Sequence, residues 1–156
     1  MACAQFLRLL GSQAEVLEVD IYDSLAVQAR YMAKIDEFQG AKKPTKEVWV
    51  FHGTSPENIE KICRNGFKIG GQGVPISNGA AYGRGVYTAT GPNTPVQYAR
   101  RGGSDAIILC KSLPGATKGS TEKDGGDSWK ASNSDWMIFK TVEQLLPKYV
   151  VHFRSN

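Results

Sequence analysis

Glu47-Val48-Trp49-Val50-Phe51-His52-Gly53-Thr54-Ser55-Pro56-Glu57 is the stretch on which the fold turns. The run 47–52 is short, β-branched and aromatic, which predicts a buried strand. It stops at His52-Gly53. Thr54-Ser55-Pro56-Glu57 then brings a hydroxyl cap, a proline at the first helical position and an acid in the first turn, so a helix follows directly. Ile59, Ile62 and Cys63 face inward from it, and Gly66 closes it as a left-handed cap.

Toward the C-terminus, residues 68–85 contain six glycines in eighteen residues. That density describes a loop, and long loops without structure of their own are usually functional. A strand is expected at 85–89, a short helix near 95–101 and a strand at 105–111. A second polar loop spans 114–134. Two more strands, 136–140 and 149–153, end the chain. Toward the N-terminus, Ile21, Leu25, Ala29, Met32 and Ile35 recur three or four apart and predict one inward face of a helix over 21–38, ended by Gly40 and Pro44. Residues 1–20 show no clear period and are expected to be loosely held. Short strands, few helices and no regular βαβ alternation predict an α+β fold with a mainly antiparallel sheet. It reads as a single domain, with 1–46 an N-terminal segment whose one helix packs on a core of 47–156.

With 156 residues, the chain can build one core without disulfides or metal. Hydrophobic residues at 41% and charged residues at 22% exclude a disordered chain. No apolar run is long enough to suggest a membrane span. Gln5 and Arg8 break up the apolar start, which makes a poor signal peptide. The net charge of +4 is spread thinly, so a solvated surface explains it and an anionic partner is not demanded. Cys3, Cys63 and Cys110 are odd in number and form no Cys-x-x-Cys pair. Core thiols in an intracellular protein, cytoplasmic or nuclear, are expected.

Four features are candidates for chemistry: His52-Gly53-Thr54, Tyr82-Gly83-Arg84-Gly85-Val86-Tyr87, Tyr98, and Gln144-Leu145-Leu146-Pro147-Lys148-Tyr149. Gly-x-Gly at 83–85 runs from loop into strand, so it is not a dinucleotide fingerprint, and no Gly-Lys-Ser/Thr follows to make a phosphate loop. Singly each feature is weak. Together, with Asn58 six residues after His52, Asn65-Gly66-Phe67, Thr88-Ala89 and Val150-Val151, they resemble in order and spacing the catalytic domain of the poly(ADP-ribose) polymerase family, the diphtheria-toxin-like ADP-ribosyltransferases. The likeness runs from about Val48 to Phe153.

The resemblance implies an NAD cleft between two small, mainly antiparallel sheets. It gives His52 a hydrogen bond to the adenosine ribose, Gly53 the nicotinamide carboxamide through its backbone, and Tyr87 and Tyr98 the two faces of the nicotinamide ring. Thr54, Asn58, Lys68 and Arg84 fall along the adenosine and pyrophosphate, with 68–84 as a glycine-rich lid. The family's serine three residues before the stacking tyrosine is Pro95 here, and Thr94 is expected to supply the hydroxyl. The third signature residue, a glutamate before the tyrosine of the last strand, reads Lys148, with Glu143 a poor substitute. The catalytic set implied is His52, Tyr87 and Lys148. An ammonium cannot accept a proton from an acceptor hydroxyl, and family members lacking the glutamate are mostly mono-ADP-ribosyltransferases. The expectation is therefore a monomeric mono-ADP-ribosyltransferase that uses NAD without a metal. Its acceptor would be a protein or, as in the related NAD-using RNA 2′-phosphotransferases, a phosphorylated nucleic acid. A non-catalytic NAD- or ADP-ribose-binding module is the alternative. No helical regulatory domain precedes the core, so activation by DNA breaks is not expected.

Overall fold

The computed structural model describes residues 14–69 and 82–155. Most of the expected lid, Cys3 and the apolar start lie outside the described residues. Seven strands form one sheet in the order β1-β7-β4-β2-β3-β6-β5. They are β1 (Ala14–Ile21), β2 (Val48–Gly53), β3 (Val86–Ala89), β4 (Ala106–Ser112), β5 (Ser128–Lys130), β6 (Trp136–Phe139) and β7 (Leu145–Ser155). Every strand pairs antiparallel with its neighbours. Three helices pack on it: α1 (Leu25–Gly40), α2 (Pro56–Asn65) and α3 (Asn93–Arg101).

The α+β class holds, but the two small sheets expected are one. The reason lies at a single junction. β2 and β4 share six register pairs from Val48–Ser112 to Gly53–Ile107, whereas β2 and β3 meet only at Phe51–Ala89. A four-stranded half and a three-stranded half are thus joined by one pair. Past it His52 and Gly53 on β2 and Tyr87 and Thr88 on β3 are not laddered to one another, and the sheet opens there.

Residues 14–21 are an edge strand of the main sheet, where the sequence suggests a loosely held segment. Its register against β7 slips between Val16 and Glu18, so the alternation expected of a strand is broken at Leu17. α1 starts later than its period suggests and buries another face. Val27, Tyr31 and Phe38 are inside, while Leu25 is 79% and Met32 53% exposed. The Tyr31 hydroxyl donates to Glu47 at 2.7 Å, satisfying the polar end of a buried ring. Ser24 caps α1, and its hydroxyl also donates to the Arg64 carbonyl, one of the orphan acceptors at the end of α2.

Apolar residues fill both faces. Val50, Cys63, Phe67, Ile108, Cys110 and Val150 lie together on one, with Ile59 and Ile62 of α2 packed against them. Phe51, Val96, Ala99, Ile107, Leu109 and Val151 lie on the other, with α3. Burial pushes the Cys63 thiol up to about 12 and raises Cys110 well above the ordinary thiol range. Both are inert core groups at neutral pH. The stretch 114–134, expected to be a loop throughout, contains a 3-10 turn (Glu122–Asp124) and β5 with its buried Trp129, and Gln144 holds it through amide donation to the Leu113 and Asp127 carbonyls at 2.9 Å each.

Candidate active site

The opening between β2 and β3 gathers the residues singled out in the sequence. β2 contributes His52 and Gly53, β3 Tyr87 and Thr88, α3 Pro95 and Tyr98, and β6 Trp136, around a cavity of about 30 Å³. A wider groove of about 410 Å³ opens at the β1–β7 edge beside Leu17, Asp105 and Phe153. Two of its charged side chains are already paired, His152 with Asp20 and Arg154 with Glu15. Convergent polar and aromatic groups therefore mark the first opening, not the larger one.

His52 is fixed in one tautomer. Its Nδ1 lies 2.8 Å from the Tyr87 carbonyl, which can only accept, so Nδ1 carries the proton. In the neutral ring Nε2 is then an acceptor, suited to a hydroxyl donor. The ring meets Phe67 edge-on at 4.9 Å. Desolvation lowers the His52 pKa below its ordinary value, opposed by the Tyr87 bond, and keeps the ring neutral.

Tyr87 locks the turn before β3. Its hydroxyl donates to the Gly83 carbonyl at 2.7 Å and accepts from the Tyr82 amide at 3.0 Å. Its pKa is raised, chiefly by desolvation. The Arg84 amide donates to Glu122 at 3.1 Å, pinning the same turn from the polar loop, while the Arg84 side chain is exposed. Gly53 is glycine for a reason the sequence did not show. A Cβ there would run into the Pro95 carbonyl, so the residue lets α3 approach β2.

The remaining expected residues divide. Thr54 accepts from the Asn58 amide at 3.4 Å at the start of α2, and Lys68 is exposed beyond its end. The Thr94 hydroxyl donates to Asp135 Oδ1 at 2.8 Å, so its proton points away from the task assigned to it. Lys148 is not in the cluster. It sits on β7, with β4 and β2 between it and β3, and binds Asp23 at 3.1 Å. Glu143 lies in a 3-10 turn (Val142–Gln144) packed beside α1. The acidic group next to the site is instead Asp135, which precedes the cavity-lining Trp136 in sequence; the Asp135 carbonyl accepts from the Thr90 amide at 2.9 Å. Sequence reasoning missed it, and the signal available was an acid opening the strand that pairs with Tyr87.

Trp136 was also missed. It meets Tyr98 at 5.2 Å and Tyr87 at 5.7 Å, near-perpendicular to both. The two tyrosines thus flank an indole, where the sequence suggests a free slot. A histidine with a free acceptor, a strand end that carries no Cβ and three aromatic rings make a site for a flat heterocycle attached to a ribose.

The class of reaction comes from the comparison with known families. The family model of the poly(ADP-ribose) polymerase catalytic domain matches residues 7–124, three-quarters of the chain, and the protein belongs to that family. It is an NAD ADP-ribosyltransferase: NAD is its substrate, and ADP-ribosyl transfer its reaction. The matched stretch contains His52, Tyr87 and Tyr98, while β6 and β7 lie beyond it. A search of curated proteins gives no match.

Proposed function

We propose that the protein transfers single ADP-ribose units from NAD to a macromolecular acceptor, a protein or a phosphorylated nucleic-acid end, and releases nicotinamide. The C–N bond between ribose and nicotinamide breaks, its electron pair leaves with nicotinamide, and the acceptor's nucleophilic oxygen bonds to the ribose carbon. The chain's residues position this exchange. His52 Nε2 accepts a ribose hydroxyl, the strand end at Gly53 meets the carboxamide, and Tyr98 stacks on the ring. Closing the site keeps water from competing with the acceptor.

The observation that carries single-unit transfer is the Thr94–Asp135 bond. Chain growth needs a base that reaches the hydroxyl of an incoming ribose. Lys148 is held by Asp23 away from the opening, and an ammonium has no acceptor to offer. Asp135 is short, and one of its oxygens is committed to Thr94. Its other oxygen can hold the donor ribose or deprotonate an acceptor, but not both at once. Acceptors that arrive already nucleophilic, such as carboxylates and phosphates, fit this site.

Incubation with labelled NAD tests the reading, with protein and phosphorylated oligonucleotides offered side by side and the attached units counted by mass spectrometry. Nicotinamide release with one unit per modified site is expected. Ladders of linked ADP-ribose, or NAD binding without any nicotinamide release, would overturn it.

A further inference from the structure

The cavity between His52, Gly53, Tyr87 and Tyr98 is small, about 30 Å³. A pyridine ring with a carboxamide is several times larger. The Trp136 indole forms part of its wall and presents an edge-to-face contact to each tyrosine at once. Such pairs are favourable beyond the area they bury. We propose that Trp136 determines which rings the slot admits. Its indole closes the slot in the free protein and turns outward before a nicotinamide ring lies on Tyr98. The inference rests on the reading of this cluster as the nicotinamide site.

The backbone around Trp136 is fixed, so the movement belongs to the side chain. The Trp136 amide donates to the Ser134 hydroxyl at 3.2 Å, and its carbonyl accepts from the Ala131 amide at 3.3 Å. Asp135 just before it is tied to Thr90 and Thr94. The Trp136 side chain has no comparable anchor. Among the described residues its indole N–H has no hydrogen-bond partner, and the residue is partly exposed. Trp129, on the neighbouring strand, shows the opposite arrangement. It is fully buried, and its indole donates to the Tyr82 carbonyl at 2.7 Å. The Trp129 indole is anchored by a hydrogen bond, whereas the Trp136 indole is held by ring contacts alone.

Two consequences follow. The competent population is the fraction with Trp136 out, so ring ligands bind more weakly than the same slot would bind them if open. Removing the indole therefore tightens ring binding, the reverse of what losing an aromatic wall normally does. Rings bulkier than nicotinamide gain most.

The test uses the full chain labelled with 5-fluorotryptophan, which gives three fluorine signals for the three tryptophans. Trp136→Phe identifies the signal of interest, and nicotinamide and benzamide are the probes. Each probe is expected to shift the Trp136 signal and leave that of Trp129 in place. Trp136→Ala is expected to bind benzamide about three- to tenfold tighter than wild type, with Trp136→Phe between them. If Trp136→Ala does not fold, Trp136→Phe decides by the same criterion. A Trp136 signal that stays put while benzamide binds, or variants that bind it equally or more weakly, overturns the proposal and leaves the transferase reading standing. If neither probe nor NAD binds wild type or variants, the reading of the site fails, and the proposal with it.

Discussion

The Nδ1–H of His52 donates to the Tyr87 carbonyl across 2.8 Å and bridges the two halves of the sheet where their ladder has stopped. The bond leaves Nε2 as an acceptor, and burial keeps the ring neutral. NAD affinity should therefore be flat above pH about 6.5, the ordinary histidine value, and fall only in more acid solution, where Nε2 becomes a donor. The stability effect has the same sign. The unfolded chain takes up this proton at higher pH than the folded one, so the contribution is complete above about 6.5 and declines as pH drops below it. Calorimetric titration of NAD across pH 5–8 checks the first point, and proton NMR of the two histidines, separated by His152→Asn, checks the second. His52→Ala should cost about 1–3 kcal/mol of NAD binding in a folded protein.

Gly53 makes a separate prediction. The Pro95 carbonyl occupies the position where a side chain would start. Gly53→Ala pushes α3 off β2 and moves Tyr98 with it, because Tyr98 is on that helix. Overpacking of this kind costs typically about 1–3 kcal/mol. A lowered Tm with a disproportionate loss of NAD binding is expected. A variant with wild-type Tm and affinity would show that the contact yields at no cost.

Tyr87→Phe tests the turn that feeds β3. It removes one hydroxyl and with it the bonds to Tyr82 and Gly83. Leaving partly buried backbone groups unpaired should cost about 1–3 kcal/mol. Glu122→Ala removes one exposed bond to the same turn and should cost well under half of that in chemical denaturation.

The sequence was most informative where one physical signal acted alone. The run before His52 is apolar enough to be a strand in any setting, and Pro56 and Gly66 mark the limits of α2. It was least informative where two signals overlapped. α1 carries one apolar stripe through Leu25, Ala29 and Met32 and another through Val27, Tyr31 and Phe38, and a helical period cannot say which meets the sheet. β1 conceals its alternation in a bulge. The motif residues His52, Tyr87 and Tyr98 were visible as a set, and the structure brings them together. Asp135 and Trp136 were not, because their importance comes from β6 pairing with β3, a contact across almost fifty residues that no local pattern announces.

The last prediction separates two candidate carboxylate or ammonium roles. If the position of Lys148 in the last strand governed catalysis, changing it would alter turnover. The structure gives it another task, an ion pair with Asp23 that ties β7 to the segment before α1, with Asp23 largely exposed. An exposed pair is worth about 0–1 kcal/mol. Lys148→Ala should therefore leave nicotinamide release within about twofold of wild type, since the lost energy falls on stability and not on the transition state. Asp135→Asn keeps an oxygen to accept from Thr94 and nearly the same volume, but removes the charge and the proton acceptor. A positioned base contributes about 10²–10⁴-fold, so with an acceptor that offers a neutral hydroxyl this variant should lose at least about a hundredfold in transfer, whereas with a carboxylate or phosphate acceptor, which needs no base, transfer should change little. Thr94→Val frees the Asp135 oxygen without removing its charge and should move turnover far less than Asp135→Asn. Single-turnover transfer and NAD titration on the three variants give the answer. With the hydroxyl acceptor, a slow Lys148→Ala beside a normal Asp135→Asn would return the catalytic role to the last strand and remove it from the rim of the aromatic slot.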